Sequence, residues 1–371
     1  MKRYKVISAG HLCLDITPVF PAELRPENLG QLFVPGKLIH MEEAKANVGG
    51  SVANTGVAMK LLGSDVRFLG KVGRDPFGEM VKASLRPYGV EGMIEDEEDS
   101  TSYTVVLAVP GHDRVFLHNP GANDGFTNED IPESDLEDAA LFHFGYPPLM
   151  RSMFADGGQE LTKMFRRMKE HGIATSLDFA AIDPESEAGK ADWRAILTSV
   201  LPYVDFFVPS FEELCFMLDR ERYDRLSKAG GDMTEGLGLL SEVKPLADEL
   251  IDMGCRTVLI KCGVSGMFYK TADAKALSEI GSRVPLDPEL WGSKEGIQPC
   301  FRADIVRSGT GAGDTSIAAF LSGMLQGYPP ADCAALAAAE GACCVTTYDA
   351  LSGLRSLEEL MDRIRSGWPT M

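Results

Sequence analysis

Short apolar runs alternate along the chain with longer stretches whose apolar residues recur at helical spacing, and this alternation predicts most of the elements. A strand is predicted at 4–10, and a Gly-Gly turn at 49–50 leads into a helix over about 51–62. A second strand follows at 66–70. Asp75-Pro76 then opens a helix, an acidic cap ahead of a Pro at the first helical position, and Gly89 closes it. Residues 101–109 and 114–118 form β runs flanking Gly111-His112-Asp113, the pattern of a hairpin. Strands near 140–145, 173–178, 204–208 and 256–261 have helix-length segments between them. Strands separated in this way imply βαβ units and a mostly parallel sheet.

The last third changes in texture. Residues 312–326 and 330–347 are Ala-rich and apolar, which predicts two well-buried helices separated at Tyr328-Pro329-Pro330. A polar helix near 356–366 ends the pattern. Residues 219–235 and 281–300 lack a clear period and read as insertions, and the acidic run Glu95–Asp99 reads as a solvated loop. No linker divides the chain, so the expectation is one α/β domain over 1–371 with a β appendage from the N-terminal third.

Composition narrows the function. The 371 residues carry 36 Lys and Arg against 55 Asp and Glu, a formal charge of −19. Such a surplus repels phosphate backbones and anionic lipid, which argues against a nucleic-acid or membrane-surface role. The opening Met1-Lys2-Arg3-Tyr4-Lys5 is basic, but the apolar run after it ends at Asp15 without a small-residue cleavage site, so it reads as a strand start. No stretch reaches the roughly 20 apolar residues of a membrane span. The eight Cys include no CxxC pair, and they read as buried thiols of a cytoplasmic protein. The six His are scattered, and none reads as a ligand.

The sharpest chemical signal is Ser308-Gly309-Thr310-Gly311-Ala312-Gly313-Asp314-Thr315, which runs straight into an apolar helix. Glycines here allow a tight turn, and backbone N–H groups converge at a helix N-terminus that favours an anion. Asp314 in the first turn can serve simply as a cap. A carboxylate beside a phosphate cradle would nonetheless repel the anion, unless it is there to take a proton from an attacking hydroxyl. The cluster Asn47–Asn54 opens the early helix through Gly49-Gly50, and it places Ser51 and Asn54 on one helical face where they could bond hydroxyls. Asp15, just past the first strand, lies where a parallel sheet lines its ligand crevice, and there it could accept two hydrogen bonds from a polyol or merely cap a turn.

These two regions resemble the signatures of the ribokinase-like (PfkB) carbohydrate kinase family. The early one runs from Asn47 to Gly78 and includes Leu61-Leu62-Gly63 and Gly70-Lys71-Val72-Gly73-Arg74-Asp75-Pro76-Phe77-Gly78; the late one is Thr310-Gly311-Ala312-Gly313-Asp314. The resemblance covers nearly the whole chain. It implies a Rossmann-like α/β fold, a mostly parallel sheet with helices on both faces, and a small β-sheet lid from about 16–46 and 101–122. It implies ATP and Mg²⁺ as cofactors. Asp314 would be the catalytic base, and the N–H groups of Gly311, Ala312 and Gly313 the anion hole. Asp15, Gly49, Gly50 and Asn54 would hold substrate hydroxyls. Ser210, Lys261, Gly263, Gly266 and Thr310 would serve the nucleotide, and Glu213 the metal through water.

Three departures bear on these expectations. Pro209-Ser210-Phe211-Glu212-Glu213 stands where the family has Pro-Asn-Glu-x-Glu, which weakens the link to Mg²⁺. Ser308 replaces an Asp that helps bind an activating monovalent cation in several members, which argues against K⁺ activation. The 219–235 and 281–300 segments are longer than compact members need. Arg114–Asn123 resembles the lid of fructokinase-like members, and no Lys or Arg cluster surrounds the substrate residues. The expected substrate is therefore an unphosphorylated sugar. A nucleoside kinase and a non-catalytic sugar or nucleotide sensor on the same fold are the alternatives. An exposed β appendage also invites pairing of two copies through the lid.

Overall fold

The computed structural model describes residues 2–90, 93–112 and 114–371. Its strands in chain order are β1 (Lys5–Gly10), β2 (Cys13–Thr17), β3 (Lys45–Gly49), β4 (Asp65–Leu69), β5 (Lys71–Gly73), β6 (Ile94–Asp96) and β7 (Tyr103–Leu107). There follow β8 (Val115–Asn119), β9 (Leu141–Gly145), β10 (Ala174–Asp178), β11 (Phe206–Phe207), β12 (Thr257–Lys261), β13 (Met267–Thr271) and β14 (Glu295–Gln298). Eight of them form the main sheet in the order β14-β13-β12-β11-β10-β9-β1-β4. From β12 to β4 the pairing is parallel, and β13 and β14 close one edge antiparallel.

The strands are apolar on both faces because each face carries its own core. Val6, Phe206 and Leu259 pack into one core, while their neighbours Ile7, Phe207 and Ile260 pack into the other. The helices Ser51–Leu61, Ala312–Leu325 and Pro330–Cys344 cover the first face. Gln159–Glu170, Trp193–Val200 and Phe211–Leu218 cover the second. This is the mostly parallel α/β sheet that the strand–helix alternation predicts, with the helices on both faces that the resemblance implies.

Register decides where chemistry can gather. Gly10 pairs with Gly145, Gly145 with Asp178, and Ser210 bridges to Lys261, so these strand C-termini end on one line. A parallel sheet presents its ligand crevice along such a line. Beside it lies a second sheet, β3-β2-β7-β8, which draws on Cys13–Thr17 and Lys45–Gly49 as well as the predicted hairpin. Asp113, in that hairpin's predicted turn, lies outside the described residues.

Several segments differ from their sequence reading. The acidic run contributes β6, paired in parallel with β5; Glu95 bonds Arg74 and Lys82, and Asp96 lies 3.8 Å from Lys71. Opposite charges hold Glu95 and Asp96 in β6, while Glu97, Glu98 and Asp99 stay exposed outside it, as a solvated loop would. Residues 219–235 contain the helix Arg220–Ala229, capped by Asp219; none of its residues is buried, so it carries no apolar period. Residues 281–300 supply β14 and the buried Trp291. The strand predicted at 204–208 shrinks to Phe206–Phe207. Among the described residues, no helix is long and apolar enough to cross a membrane.

Glu340, inside the helix Pro330–Cys344, is fully buried; its Oε1 accepts from the Arg355 N–H (3.1 Å) and its Oε2 has no partner among the described residues. Burial, against the pull of that N–H and of the Arg355 charge, pushes its carboxyl up to about 8. The unfolded chain loses this proton near the ordinary carboxylate range while the folded chain keeps it, so stability declines as pH rises toward 8. Glu340→Gln removes that term. Thermal unfolding should show the variant gaining on the wild type between pH 5 and pH 8, and a constant difference would refute the buried, protonated carboxyl.

Candidate active site

The helix Ala312–Leu325 begins at Gly311, whose φ of 77° is left-handed. A Cβ there would stand 2.2 Å from the Ala350 Cβ, so conformation and space both require glycine. Gly309 and Gly313 carry no such demand. Around Gly309 a Cβ would meet nothing within 4 Å, and at Gly313 only the Lys261 side chain at 3.8 Å or more. The Ala312 N–H turns back onto the Gly309 carbonyl (3.3 Å). The N–H groups of Gly311 and Gly313, without a protein acceptor among the described residues, form the open part of the cradle.

Asp314 occupies the first turn of this helix and is 5% exposed. Its Oδ2 accepts from Asn54 Nδ2 (3.0 Å), and its Oδ1 accepts from Thr55 Oγ1 (3.2 Å) and the Tyr146 hydroxyl (2.6 Å). Asn54 and Thr55 come from the early helix, and Tyr146 follows β9 in a left-handed conformation. Burial first, and then the neighbouring Asp314 charge, pushes the Tyr146 phenol well above its ordinary pKa, so it stays a donor. Neither Thr55 nor Tyr146 is marked in the sequence, although Thr55 adjoins Asn54. Ser51, predicted to face hydroxyls alongside Asn54, is instead buried against His143 (Oγ to Nε2, 3.2 Å).

Asp15 lies on β2 of the second sheet, paired with Asn47 and Thr104. A Cβ on Gly49 would fall 2.2 Å from Asp15 Oδ2, and one on Gly50, whose φ is 90°, 2.5 Å from the His11 carbonyl. The Gly49-Gly50 turn thus lets Asp15 and the early helix approach the end of β1. Burial raises the Asp15 pKa, a nearby hydrogen bond from Cys13 (3.2 Å) lowers it, and the Asp314 charge raises it further.

Lys261 ends β12 and bonds the buried Asp178 at the end of β10 (2.8 Å). Its ammonium also feels Glu213 and Asp314, and these carboxylates keep it charged despite burial. Ser210 and Glu213 cap each other reciprocally: the Ser210 N–H donates to Glu213 Oε2 (2.8 Å) and the Glu213 N–H to Ser210 Oγ (3.2 Å). The turn after β12 is crowded by both insertions. A Cβ on Gly263 would stand 2.3 Å from Thr234 Oγ1, and one on Gly266 2.4 Å from the Gln298 carbonyl. The segments with no legible role therefore buttress the turn expected to meet the nucleotide. Ser308 bonds Thr310 within its own loop, and Arg114, at the start of β8, donates to Thr310 Oγ1 from the second sheet.

A helix N-terminus open to an anion, a carboxylate fixed beside it and a crevice along parallel strand ends make this an α/β phosphotransferase. The chain matches the pfkB family of carbohydrate kinases over residues 11–356 and belongs to that family. It is an ATP-dependent sugar kinase. It is similar to an uncharacterized sugar kinase of Archaeoglobus fulgidus, 24% identical over 299 residues that cover 80% of this chain and 98% of the relative. It is likewise similar to fructokinase-2 of Oryza sativa subsp. japonica, 25% identical over 311 residues, covering 80% and 84%. The fold matches Arabidopsis thaliana ribokinase complexed with ribose and ATP, with a TM-score of 0.70 and 19% identity over 98% of each chain.

Proposed function

We propose that the enzyme phosphorylates a hydroxyl of an unphosphorylated sugar, as its fructokinase and ribokinase relatives are named for doing. Asp314 is the base, and the anion hole is formed by the open N–H groups of Gly311 and Gly313, the Ala312 N–H being turned onto the Gly309 carbonyl. The observation that carries this reading is the Asp314 carboxylate held by three neutral donors beside open backbone N–H groups. Neutral donors orient a carboxylate without taking up its charge, so it is poised to receive the proton of an attacking hydroxyl. Lys261, beside Gly313, adds positive charge at the rim of the cradle, where ATP phosphates would lie along the Lys261–Gly266 turn.

Asp15, Gly49, Gly50 and Asn54 form the acceptor side, with Asn54 reaching the hydroxyl through its bond to Asp314. The second sheet acts as the lid. Arg114, already bonded to Thr310, ties it to the loop and helps keep water from the transferred group. Exposed Phe116 and Leu117 on β8 favour pairing of two copies through this sheet.

Among the described residues, no group of three His, Cys, Asp or Glu is placed to hold a metal ion, which suits an Mg²⁺ that arrives on phosphates and keeps its waters. Glu213, with Oε2 committed to the Ser210 N–H, has Oε1 left to meet such a water. Bound there, Mg²⁺ supplies charge neutralisation to the phosphoryl group. Ser308 is committed within its loop, so no monovalent-cation role is proposed for it.

A coupled ADP-release assay with ATP and Mg²⁺ tests the reading against free sugars, sugar acids, sugar phosphates and nucleosides. Release with free sugars is expected. Turnover confined to nucleosides or to phosphorylated sugars would overturn the substrate assignment, and silence across the panel would favour a sensor.

A further inference from the structure

His11 is the buried group in this region that neither the fold nor the proposed chemistry employs. Its backbone is tied on both sides: the N–H donates to the Gly145 carbonyl (3.1 Å), and the carbonyl accepts from the Val52 N–H (3.2 Å). The side chain is different. The residue is 2% exposed, yet among the described residues neither Nδ1 nor Nε2 has a hydrogen-bond partner. An unsatisfied buried polar group costs about 1–3 kcal/mol, so such groups are rare without a reason.

His143 provides a comparison within the same molecule. It is equally buried, but its Nε2 meets Ser51 Oγ (3.2 Å) and its Nδ1 meets Ser176 Oγ (3.0 Å). Both of its nitrogens are served by short side chains on neighbouring elements. His11 has been given no such neighbour, although it stands where polar groups are dense.

Its surroundings place it at the acceptor side of the site. Its ring centroid lies 5.3 Å from that of His118 on β8 and 5.9 Å from that of Tyr146, whose hydroxyl holds Asp314. Beneath it Gly50 has no side chain, and a Cβ there would come within 2.9 Å of His11 Nδ1. The imidazole thus sits where the second sheet, the Gly-Gly turn and the support of Asp314 meet.

We propose that His11 is a substrate-binding residue whose ring nitrogens take hydroxyls of the sugar, and that it selects an uncharged polyol. This rests on the reading of the site as a sugar kinase. A neutral imidazole offers one N–H donor and one lone pair, the complement of hydroxyls that both donate and accept. Burial, with His118 adding to it, pushes the His11 pKa down to about 3, so the ring is neutral. A carboxylate or phosphate on the acceptor would need a cation instead. Among the described residues, the groups placed against the His11 ring, His118, Tyr146 and Gly50, include no Lys or Arg.

The test uses the full chain and the free sugar that gives the highest turnover in the ADP-release panel. His11→Phe keeps a flat ring and removes both nitrogens, and His11→Gln restores one donor and one acceptor. Leaving sugar hydroxyls and their site unpaired by 1–3 kcal/mol corresponds to about a 5–150-fold change in affinity. We therefore expect His11→Phe to raise KM for the sugar at least fivefold, with KM for ATP within twofold of wild type and His11→Gln falling between. If the Phe variant does not fold, His11→Leu carries the same measurement. A sugar KM within twofold of wild type overturns the proposal, and so does a sugar KM that rises only in step with that for ATP, the mark of general distortion. A wild-type enzyme silent toward every free sugar overturns the sugar-kinase reading, and this proposal with it. An active wild type with an unaffected His11→Phe overturns this proposal alone.

Discussion

Asp314→Asn is expected to lower kcat by about 10²–10⁴-fold, the range a positioned general base supplies. The substitution keeps the shape of the side chain, and its remaining oxygen can still accept from the Tyr146 hydroxyl and Thr55. It cannot accept a proton. Its new NH₂ also faces the Asn54 amide, which now donates to Asp314 Oδ2, so one hydrogen bond becomes a donor–donor contact. A modest loss of stability therefore accompanies a large loss of turnover, and sugar binding, which rests mainly on Asp15 and the Gly49-Gly50 turn, is largely retained. Steady-state kinetics with binding of the sugar measured calorimetrically separate these effects. Turnover close to wild type would remove Asp314 from the chemistry and leave it as a structural tie between the early helix and Tyr146.

Local pattern makes some features legible in a sequence, and partners distant in the chain hide others. The parallel strands were visible because a strand buried on both faces reads as a mostly apolar run, as β1, β9 and β12 do, whereas β10 (Ala-Thr-Ser-Leu-Asp) is buried throughout with three polar residues. The helices Ala312–Leu325 and Pro330–Cys344 were visible because they are apolar nearly all round. Asp314 was visible because a carboxylate beside a glycine-rich turn is a local contradiction that chemistry resolves. By contrast β14 alternates exposed and half-buried residues at an edge, and β6 is acidic, stabilised by Arg74 and Lys82 rather than by apolar burial. Neither carries a strand's usual mark.

The same division runs through the site. Tyr146 and Thr55 reach Asp314 from 168 and 259 residues away, and no spacing between them encodes the meeting. His11 and His118 looked scattered, yet the turn after β1 and strand β8 bring their rings together. Of the glycines in the cradle, the sequence could not say that Gly311 alone needs its conformation, because the obstacle is Ala350, contributed from beyond the next helix. Ser51 shares a helical face with Asn54, but the face turns at the sheet, and His143 claims its hydroxyl.

Lys261→Met is expected to destabilise the protein by about 3–5 kcal/mol, because it strands Asp178 as a buried charge without its partner. Burial pushes the Asp178 carboxyl up and the Lys261 ammonium pulls it down, so removing the lysine leaves only the push. The carboxyl then takes up a proton or draws in water, and both responses cost stability. Asp178→Asn placed on the Lys261→Met background removes the stranded charge, and most of the lost stability should return. Activity divides the two roles of the lysine. If Lys261 also draws the anion toward the cradle beside Gly313, the double variant regains its Tm but not kcat/KM for ATP. Recovery of both would make the pair purely structural, and recovery of neither would mean that Asp178 was not the charge Lys261 had been balancing.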